Sequence, residues 1–82
     1  MIASVSAYVM VKLEAGKDKD VFTEVKKLTQ IREASATYGA YDLLIKVKFE
    51  NIEQLDEFIF GVLRRIPGVT ETVTIIAAKQ MI

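Results

Sequence analysis

Residues 42–68 read DLLIKVKFENIEQLDEFIFGVLRRIPG, and this stretch changes its hydrophobic period halfway along. From Asp42 to Phe49 every second side chain is apolar, which is the period that predicts a β-strand. From Asn51 to Ile66 apolar residues recur every three or four positions, which predicts an amphipathic helix ended by the Pro-Gly pair. A strand followed directly by a helix is therefore predicted here.

The same two periods occur on both sides of this stretch. Val5–Leu13 alternates as a strand does, and Lys17–Leu28 carries its apolar residues on one helical stripe. Ile31–Tyr38 is a weaker strand of small residues, and Val69–Ala78 alternates again as a last strand. The order predicts an α+β protein with a ferredoxin-like βαββαβ fold, a two-layer sandwich of one sheet and two helices.

Both predicted helices begin beside residues that are suited to cap them. Asn51 with Gln54 three positions later resembles a capping box. Asp18 or Asp20 can cap the first helix and complement its dipole.

The composition excludes several classes of function. The 82 residues are long enough for one domain only, and with neither cysteine nor histidine the chain lacks the usual thiol nucleophile, general base and zinc ligands. We therefore predict no catalytic residues, no metal site and no cofactor. Eleven basic residues balance eleven acidic ones, which does not favour nucleic-acid binding. The start, Met1–Ser4, has no basic segment typical of a signal peptide, so a cytoplasmic location with no membrane contact is expected.

The sheet face that the helices leave uncovered is expected to be unusually apolar. Strict alternation assigns to it Tyr8, Met10, Ala34, Ala36, Tyr38, Leu44, Ile76 and Ala78, together with Ser6, Thr72, Thr74 and Lys46. An apolar patch of this kind on so small a domain predicts sheet-to-sheet dimerisation, because its burial would stabilise by several kcal/mol. The alternative is a monomer with a half-polar open face.

The turn between the second and third predicted strands is the candidate binding element. Within Gly39-Ala40-Tyr41-Asp42, Gly39 permits a backbone in which several N–H groups point one way and can hold a carboxylate. Asp42 can accept from an ammonium group, and Thr72 and Thr74 are expected to add hydroxyls from the uncovered face. Together these groups could satisfy both charged ends of a free amino acid. The alternative is an ordinary hairpin turn with ordinary strand threonines.

Two motifs resemble those of a known family. Gly39-Ala40-Tyr41-Asp42-Leu43-Leu44-Ile45-Lys46-Val47 is similar to the G-x-[YF]-D-hydrophobic signature of the effector-binding (RAM) domain of leucine-responsive/asparagine-regulatory (Lrp/AsnC) transcription regulators. Ile66-Pro67-Gly68-Val69-Thr70-Glu71-Thr72-Val73-Thr74 resembles that domain's I-P-G-V-x-x-T-x-T signature. The resemblance covers essentially the whole chain, so residues 1–82 are expected to be a single effector-binding and oligomerisation domain.

The resemblance implies more than the fold. It implies the dimeric α/β-barrel type of assembly, in which dimers associate further, commonly into octamers, and small effectors, mostly amino acids, bind between dimers. It implies a ligand site at Gly39, Ala40, Tyr41 and Asp42 with Thr72, Thr74 and Ile76. Full-length regulators of the family carry a helix-turn-helix domain that this sequence does not show, so no direct contact with nucleic acid is expected.

Three functional hypotheses follow. The first is an amino-acid-sensing and oligomerisation module linked to transcription regulation, which could co-assemble with full-length Lrp/AsnC-type regulators. The second is a structural assembly protein whose ligand site is vestigial. The third is a small enzyme on the dimeric α/β-barrel fold, although such sites often use a histidine or a metal.

Overall fold

A computed structural model describes residues 4–79 and 81–82, so most of the chain start considered above for a signal peptide, and Gln80, lie outside the described residues. The described elements follow the predicted order of strand, helix, strand, strand, helix, strand. They are β1 (Val5–Leu13), α1 (Asp18–Val25), β2 (Ile31–Ala36), β3 (Leu43–Phe49), α2 (Ile52–Gly61), a short 3-10 helix (Leu63–Arg65) and β4 (Val69–Ile76).

The four strands form one antiparallel sheet in the order β2-β3-β1-β4. β1 and β3 are central, while β2 and β4 are the edge strands. This confirms the predicted ferredoxin-like βαββαβ fold, in which each helix connects two strands that are not neighbours in the sheet. No helix among the described residues has the length and apolar character needed to cross a membrane.

The core lies between the two helices and one face of the sheet. β1 and β3 bury every second side chain there, and both helices contribute to the same cluster. Its buried members are Ala7, Val9, Val11, Val21, Val25, Leu43, Ile45, Val47, Leu55, Phe58, Ile59 and Leu63. Phe49 and Phe58 join β3 to α2 through tilted rings whose centroids are 5.6 Å apart. The alternation seen in the sequence therefore does select the residues that face the helices on the two central strands.

The first helix is shorter than predicted and starts differently. Its N-cap is Lys17, which makes no side-chain capping hydrogen bond, so the prediction that Asp18 or Asp20 caps the helix is wrong. Both acids lie in the first turn, where their charge complements the helix dipole. The helix ends at Val25 because the following amides donate to the carbonyl three residues back instead of four. The Leu28 amide, for example, donates to the Val25 carbonyl at 3.1 Å.

The second helix has the predicted N-terminus and an earlier end. The Asn51 side chain accepts a hydrogen bond from the Gln54 amide at 2.9 Å, while the Gln54 side chain accepts from the Glu50 amide, also at 2.9 Å. The helix stops at Gly61 rather than at Ile66, and the chain continues as the 3-10 helix. Glycine is a weak helix former, which accounts for a change of winding at this point.

A β-bulge in β4 reverses the predicted faces of that strand. Leu13 pairs with Val69, but the preceding residue of β1, Lys12, pairs with Glu71, so β4 contributes one extra residue, Thr70. Directly paired residues share a face, and each residue beyond the bulge is therefore on the side opposite to the one that strict alternation predicts.

The consequence is a correction to three of the predicted site residues. Thr72, Thr74 and Ile76 pair with Val11, Val9 and Ala7, which are buried under the helices. All three therefore lie on the helix side of the sheet and not on the uncovered face. Their neighbours Val73 and Ile75 pair with Met10 and Tyr8 and take the uncovered face instead.

A second bulge, in β2, corrects the same prediction at the other edge. Ile31 pairs with Val47 and Glu33 with Lys46, which leaves Arg32 as the extra residue. Ala34 and Ala36 then pair with Ile45 and Leu43 and lie on the helix side. The prediction that these alanines line the uncovered face is wrong. Tyr38 and Ala78, which were also assigned to it, lie beyond the ends of β2 and β4.

We call the corrected uncovered surface the open face. It consists of Ser6, Tyr8, Met10, Lys12, Glu33, Ser35, Leu44, Lys46, Lys48, Glu71, Val73 and Ile75. Its apolar centre leaves 39% of Tyr8, 37% of Leu44 and 52% of Ile75 exposed. Among its charged residues, Lys12 and Glu71 lie at one end and Lys48 at the other, whereas Lys46 pairs with Tyr8 in the middle row. Exposed apolar side chains gathered on one face are typical of a surface that associates with another protein surface.

Candidate functional site

The turn that joins β2 to β3, residues 37–42, is held by two hydrogen bonds from Thr37. The Thr37 amide donates to the Asp42 carbonyl at 3.0 Å, and its hydroxyl donates to the Tyr41 carbonyl at 2.8 Å. Between them Gly39 has φ +113°, a conformation that side-chain-bearing residues rarely adopt. The turn is therefore fixed at its two ends, while its tip is exposed.

Backbone donors at the tip are available to a ligand. The amides of Gly39, Ala40 and Tyr41 make no hydrogen bond to any described part of the chain. Adjacent unpaired amides in a turn of this kind can bind a carboxylate. Ligand binding by the turn stays a prediction.

Asp42 ties the turn to the neighbouring strand. Its Oδ2 accepts a hydrogen bond from the Leu13 amide at 2.8 Å, and its own amide donates to the Val11 carbonyl at 2.9 Å. The carboxylate therefore supplies a hydrogen-bond partner for the Leu13 amide of β1 just before β3 begins at Leu43. Its second oxygen makes no hydrogen bond to the described residues and could accept one from an ammonium group.

Tyr41 extends from the turn to the far edge of the sheet. Its hydroxyl donates to Oε2 of Glu71 on β4 at 3.2 Å, although β1 lies between the turn and that strand. Partial desolvation, and secondarily the hydrogen bond to Glu71 and its negative charge, raise the pKa of Tyr41 above its ordinary value of 10.0. Tyr41 is therefore a neutral hydrogen-bond donor at physiological pH.

Glu71 is a site residue that sequence reasoning missed. Strict alternation places Glu71 on the same face as Val69 and Val73. A single charged residue in such a row is read as a solvent-exposed position near the edge of the sheet and not as part of a binding site. The bulge at Thr70 turns Glu71 to the open face, beside Lys12, where Tyr41 reaches it. No local pattern signals this contact, because it joins residues 30 positions apart.

The three β4 residues of the predicted site lie at increasing distance from the turn. Leu43 and Thr72 both pair with Val11, so two strand spacings, or about 10 Å, separate them. Thr74 lies two residues beyond Thr72 on β4, which places it about 7 Å further from the turn. Ile76 lies about 7 Å beyond Thr74 in the same direction. The turn and the β4 residues thus do not form one pocket within a single protomer.

Two clefts flank the turn, one on each side of the sheet. The cleft towards the open face has a volume of about 210 Å³ and is lined by Met10, Thr37, Tyr38, Ala40, Tyr41, Leu43 and Leu44. The cleft on the other side has about 370 Å³ and is lined by Leu13, Glu14, Ala15, Gly16, Asp18, Phe22, Ala36, Thr37 and Asp42. The first approaches the small end of the range for ligand pockets, and both are open to solvent.

The arrangement is one of binding groups rather than of reacting ones. It offers amides, one half-free carboxylate and a tyrosine hydroxyl around shallow clefts. Nowhere in the described residues do three or more acidic side chains converge in a way that could hold a metal ion. The fold and the turn therefore define a class: small split βαβ domains with a candidate ligand-binding turn at one end of the sheet.

Comparison with known proteins identifies the family within this class. Residues 6–82 match the family model of the Lrp/AsnC ligand binding domain. The chain belongs to this family, and the predicted resemblance is confirmed. The model is that of a ligand-binding domain, and the relatives that match the chain are transcription regulators.

Relatives of this chain are regulators about twice its length. The HTH-type transcriptional regulator FL11 of Pyrococcus abyssi is 37% identical over 76 residues, which cover 93% of this chain and 50% of FL11. FL11 of Pyrococcus horikoshii is also 37% identical with the same coverage. The chain thus spans about half the length of the curated relatives that it matches.

Solved structures share the fold over nearly the whole chain. FFRP-DM1 is 34% identical with a TM-score of 0.83, and the match covers 89% of this chain and 97% of that one. AsnC of E. coli is 25% identical with a TM-score of 0.89, covering 95% of this chain and 53% of AsnC.

Proposed function

We propose that the protein is an amino-acid-sensing and oligomerisation module linked to transcription regulation, and that it has no enzymatic activity. One observation carries the proposal: unpaired turn amides lie beside a carboxylate with one free oxygen, in a chain that belongs to a ligand-binding-domain family. These groups complement the two charged ends of a free amino acid. Residues 1–82 would act as a single domain.

The proposed ligand class has support from a protein of the same fold. The transcriptional regulator NMB0573 of Neisseria meningitidis was solved as a complex with L-Met, and its structure matches this chain with a TM-score of 0.86. At 22% identity that likeness shows the fold alone, and it covers 51% of NMB0573; the L-Met complex of that protein supports the choice of amino acids as the ligands to screen.

We assign each predicted site residue a role. Gly39, Ala40 and Tyr41 would bind the ligand carboxylate through their amides, and Asp42 would accept from its ammonium group. Thr72, Thr74 and Ile76 would come from a second copy of the chain, since within one protomer they lie on the helix side and about 10 Å or more from the turn. A site shared in this way exists only in the oligomer, which would couple binding to assembly.

The first step of assembly would bury the open face. Tyr8, Leu44 and Ile75 retain much of their surface, and a second copy packed on the same residues would cover them on both protomers. Dimers would then associate further into octamers, and mixed assemblies with full-length Lrp/AsnC-type regulators would link the module to DNA. The chain itself would contact neither nucleic acid nor membrane and would function in the cytoplasm.

The proposal is tested by ligand screening with matched variants. Each of the twenty amino acids is added to the protein, and the melting temperature and the mass in solution are measured. A ligand at 100 times its dissociation constant adds about 2.7 kcal/mol, which raises the melting temperature of a domain of this size by roughly 10 °C or more. Asp42→Asn keeps an oxygen for the Leu13 amide but removes the charge, so it should abolish most of this shift.

The control is Asp56→Asn, which removes a carboxylate from the exposed surface of α2. It should leave the ligand response unchanged. If no amino acid alters either the melting temperature or the mass, or if both variants respond as the parent chain does, the sensing proposal fails.

A second candidate function is that of an assembly protein with a vestigial ligand site. Two observations favour it. The Asp42 carboxylate accepts a hydrogen bond from the Leu13 amide and thus has a structural role without any ligand, and the open face carries exposed apolar residues. Assembly that proceeds fully without any ligand, and is unchanged by all twenty amino acids, would select this candidate over the first.

A further inference from the structure

A cleft on the open face, at the end of the sheet far from the turn, is lined mainly by basic side chains. Its volume is about 360 Å³ and its lining consists of Ser6, Arg32, Glu33, Lys46 and Lys48. Ser6 pairs with Lys48, four residues along β1 from Met10, so the cleft is about 13 Å from the row that adjoins the turn. It is therefore a separate feature from the proposed amino-acid site.

The charges in this cleft do not balance. Three cations face one carboxylate, that of Glu33, which leaves a surplus of two positive charges in a chain whose overall net charge is zero. Glu33 approaches only Lys46, at 3.9 Å, and this contact is largely exposed. Among the described residues, neither Arg32 nor Lys48 has a carboxylate within ion-pair distance.

The strand register brings these cations to one cleft, and one of them has a further contact. The β2 bulge inserts Arg32 as an extra residue beside Lys46, where it lines the cleft. The Lys46 ammonium lies over the Tyr8 ring, 5.8 Å from its centroid, and the Lys46 side chain is 40% exposed. The Ser6 hydroxyl is half-buried and makes no hydrogen bond to the described residues, so one neutral donor completes the cleft.

We infer that this cleft binds a small dianionic oxyanion, such as a phosphate or a dicarboxylate. The guanidinium of Arg32 offers the paired donors that match phosphate and carboxylate oxygens, while Lys48 and Lys46 supply point charges and Ser6 a hydroxyl. Two negative charges cancel the surplus. The cleft is open, so the dissociation constant is expected to be on the order of 1 mM and to rise with salt.

The inference goes beyond the proposed amino-acid sensing and does not depend on it. It does have a consequence for the open face, because Ser6, Lys46 and Lys48 belong to that face and the surplus charge therefore lies on the surface that would become the dimer interface. A bound dianion lowers the electrostatic repulsion between two such surfaces wherever their basic ends approach each other. Oxyanions should therefore favour the dimer over the monomer.

The test is a titration followed by ¹H–¹⁵N NMR of the full chain, with inorganic phosphate as the probe and sodium chloride at equal ionic strength as the reference. Phosphate should produce saturable shifts of the Ser6, Arg32 and Lys48 amides that chloride does not produce. A parallel titration with succinate distinguishes the two sources of the ligand. Tighter binding of phosphate identifies a phosphate compound, and tighter binding of succinate identifies a dicarboxylate.

Charge-removing variants assign the shifts to the cleft. Arg32→Gln and Lys48→Gln should each weaken phosphate binding about 2- to 5-fold, and the double variant should remove saturation. Lys19→Gln and Arg65→Gln, which remove exposed cations elsewhere, should leave it unchanged. All four positions are exposed, so the variants are expected to fold.

Two results would overturn the inference. One is the absence of saturable shifts at the cleft with both probes, and the other is equal weakening by the control variants, which would reduce the effect to general screening. Failure of the amino-acid proposal is read separately, from the amides of the turn at residues 38–42.

Discussion

Two adjacent isoleucines allow the proposed dimer interface to be tested within one strand. Ile75 is 52% exposed and lies on the open face, paired with Tyr8, whereas Ile76 is 47% exposed and lies on the helix side, paired with Ala7. They have the same side chain, the same edge strand and nearly the same exposure. They differ in the face of the sheet to which they belong, so alanine variants of the two form a matched pair.

The expected magnitude follows from the exposed fraction. Complete burial of an isoleucine side chain contributes roughly 1.5–3 kcal/mol, and about half of the Ile75 side chain remains to be buried. Dimerisation would thus gain about 0.8–1.5 kcal/mol from each copy, and a symmetric interface contains two copies. Ile75→Ala should therefore raise the dissociation constant of the dimer about 10- to 150-fold. Ile76→Ala should change it less than about 3-fold.

The measurement is sedimentation equilibrium over a dilution series, without added effector, in the range where monomer and dimer exchange. Circular dichroism confirms that both variants remain folded. Should Ile76→Ala weaken the dimer as much as Ile75→Ala does, or should only Ile76→Ala weaken it, the assignment of faces made from the β4 register would be refuted. A parent chain that remains monomeric at high concentration would refute the dimer itself.

Three further predictions concern single residues. Gly68→Ala should lower the free energy of unfolding by about 2–4 kcal/mol in urea titrations, because Gly68 has φ +103° and an added Cβ would lie 2.8 Å from Lys17 Cβ. The control is Gly61→Ala, which has nothing within 4 Å of its added Cβ and should be neutral or stabilise by up to about 1 kcal/mol. Equal losses of stability in the two variants would contradict this reasoning. Asp42→Ala should lower the free energy of unfolding by about 1–2 kcal/mol, because it leaves the Leu13 amide unpaired. Asp42→Asn keeps an acceptor oxygen and should lower it by less than half of that in the same assay. The raised pKa of Tyr41 means that the folded state favours the neutral phenol, so the stability that this provides is present below pH 10 and is lost as pH rises through the raised value. Glu71→Gln should lower the pKa of Tyr41 in an NMR titration of its ring. An unchanged pKa would show that the hydrogen bond to Glu71 has no influence on it.

The order of elements and the core were predictable because each depends on local periodicity. The alternation in β1 and β3 and the apolar stripes of the helices identify the buried residues directly, and the Asn51–Gln54 pair marks the start of α2. The helix ends were less predictable. An apolar stripe continues through Gly61 to Ile66, but the backbone changes there to a tighter winding that the stripe does not reveal.

The candidate site was predicted only in part. The turn at residues 37–42 could be identified from Gly39 and Asp42, and its unpaired amides are present in the structure. The hydrogen bond from Leu13 to Asp42, and the contact between Tyr41 and Glu71, join positions 29 and 30 residues apart. Contacts of that separation depend on how the strands align, which no single segment of the sequence specifies.

The sequence by itself determined the fold, because the periods of its strands and helices leave one way to bury their apolar residues together. It also determined the family, through motifs that lie on the turn and on β4. Only the tertiary structure decided which side of β4 is which. One extra residue at Thr70 opposite Lys12 and Leu13 moves the threonines of the second motif to the helix side and turns Ile75 outwards. The physical reason is that a strand alternates with a period of two, so a single inserted residue exchanges the two faces beyond it.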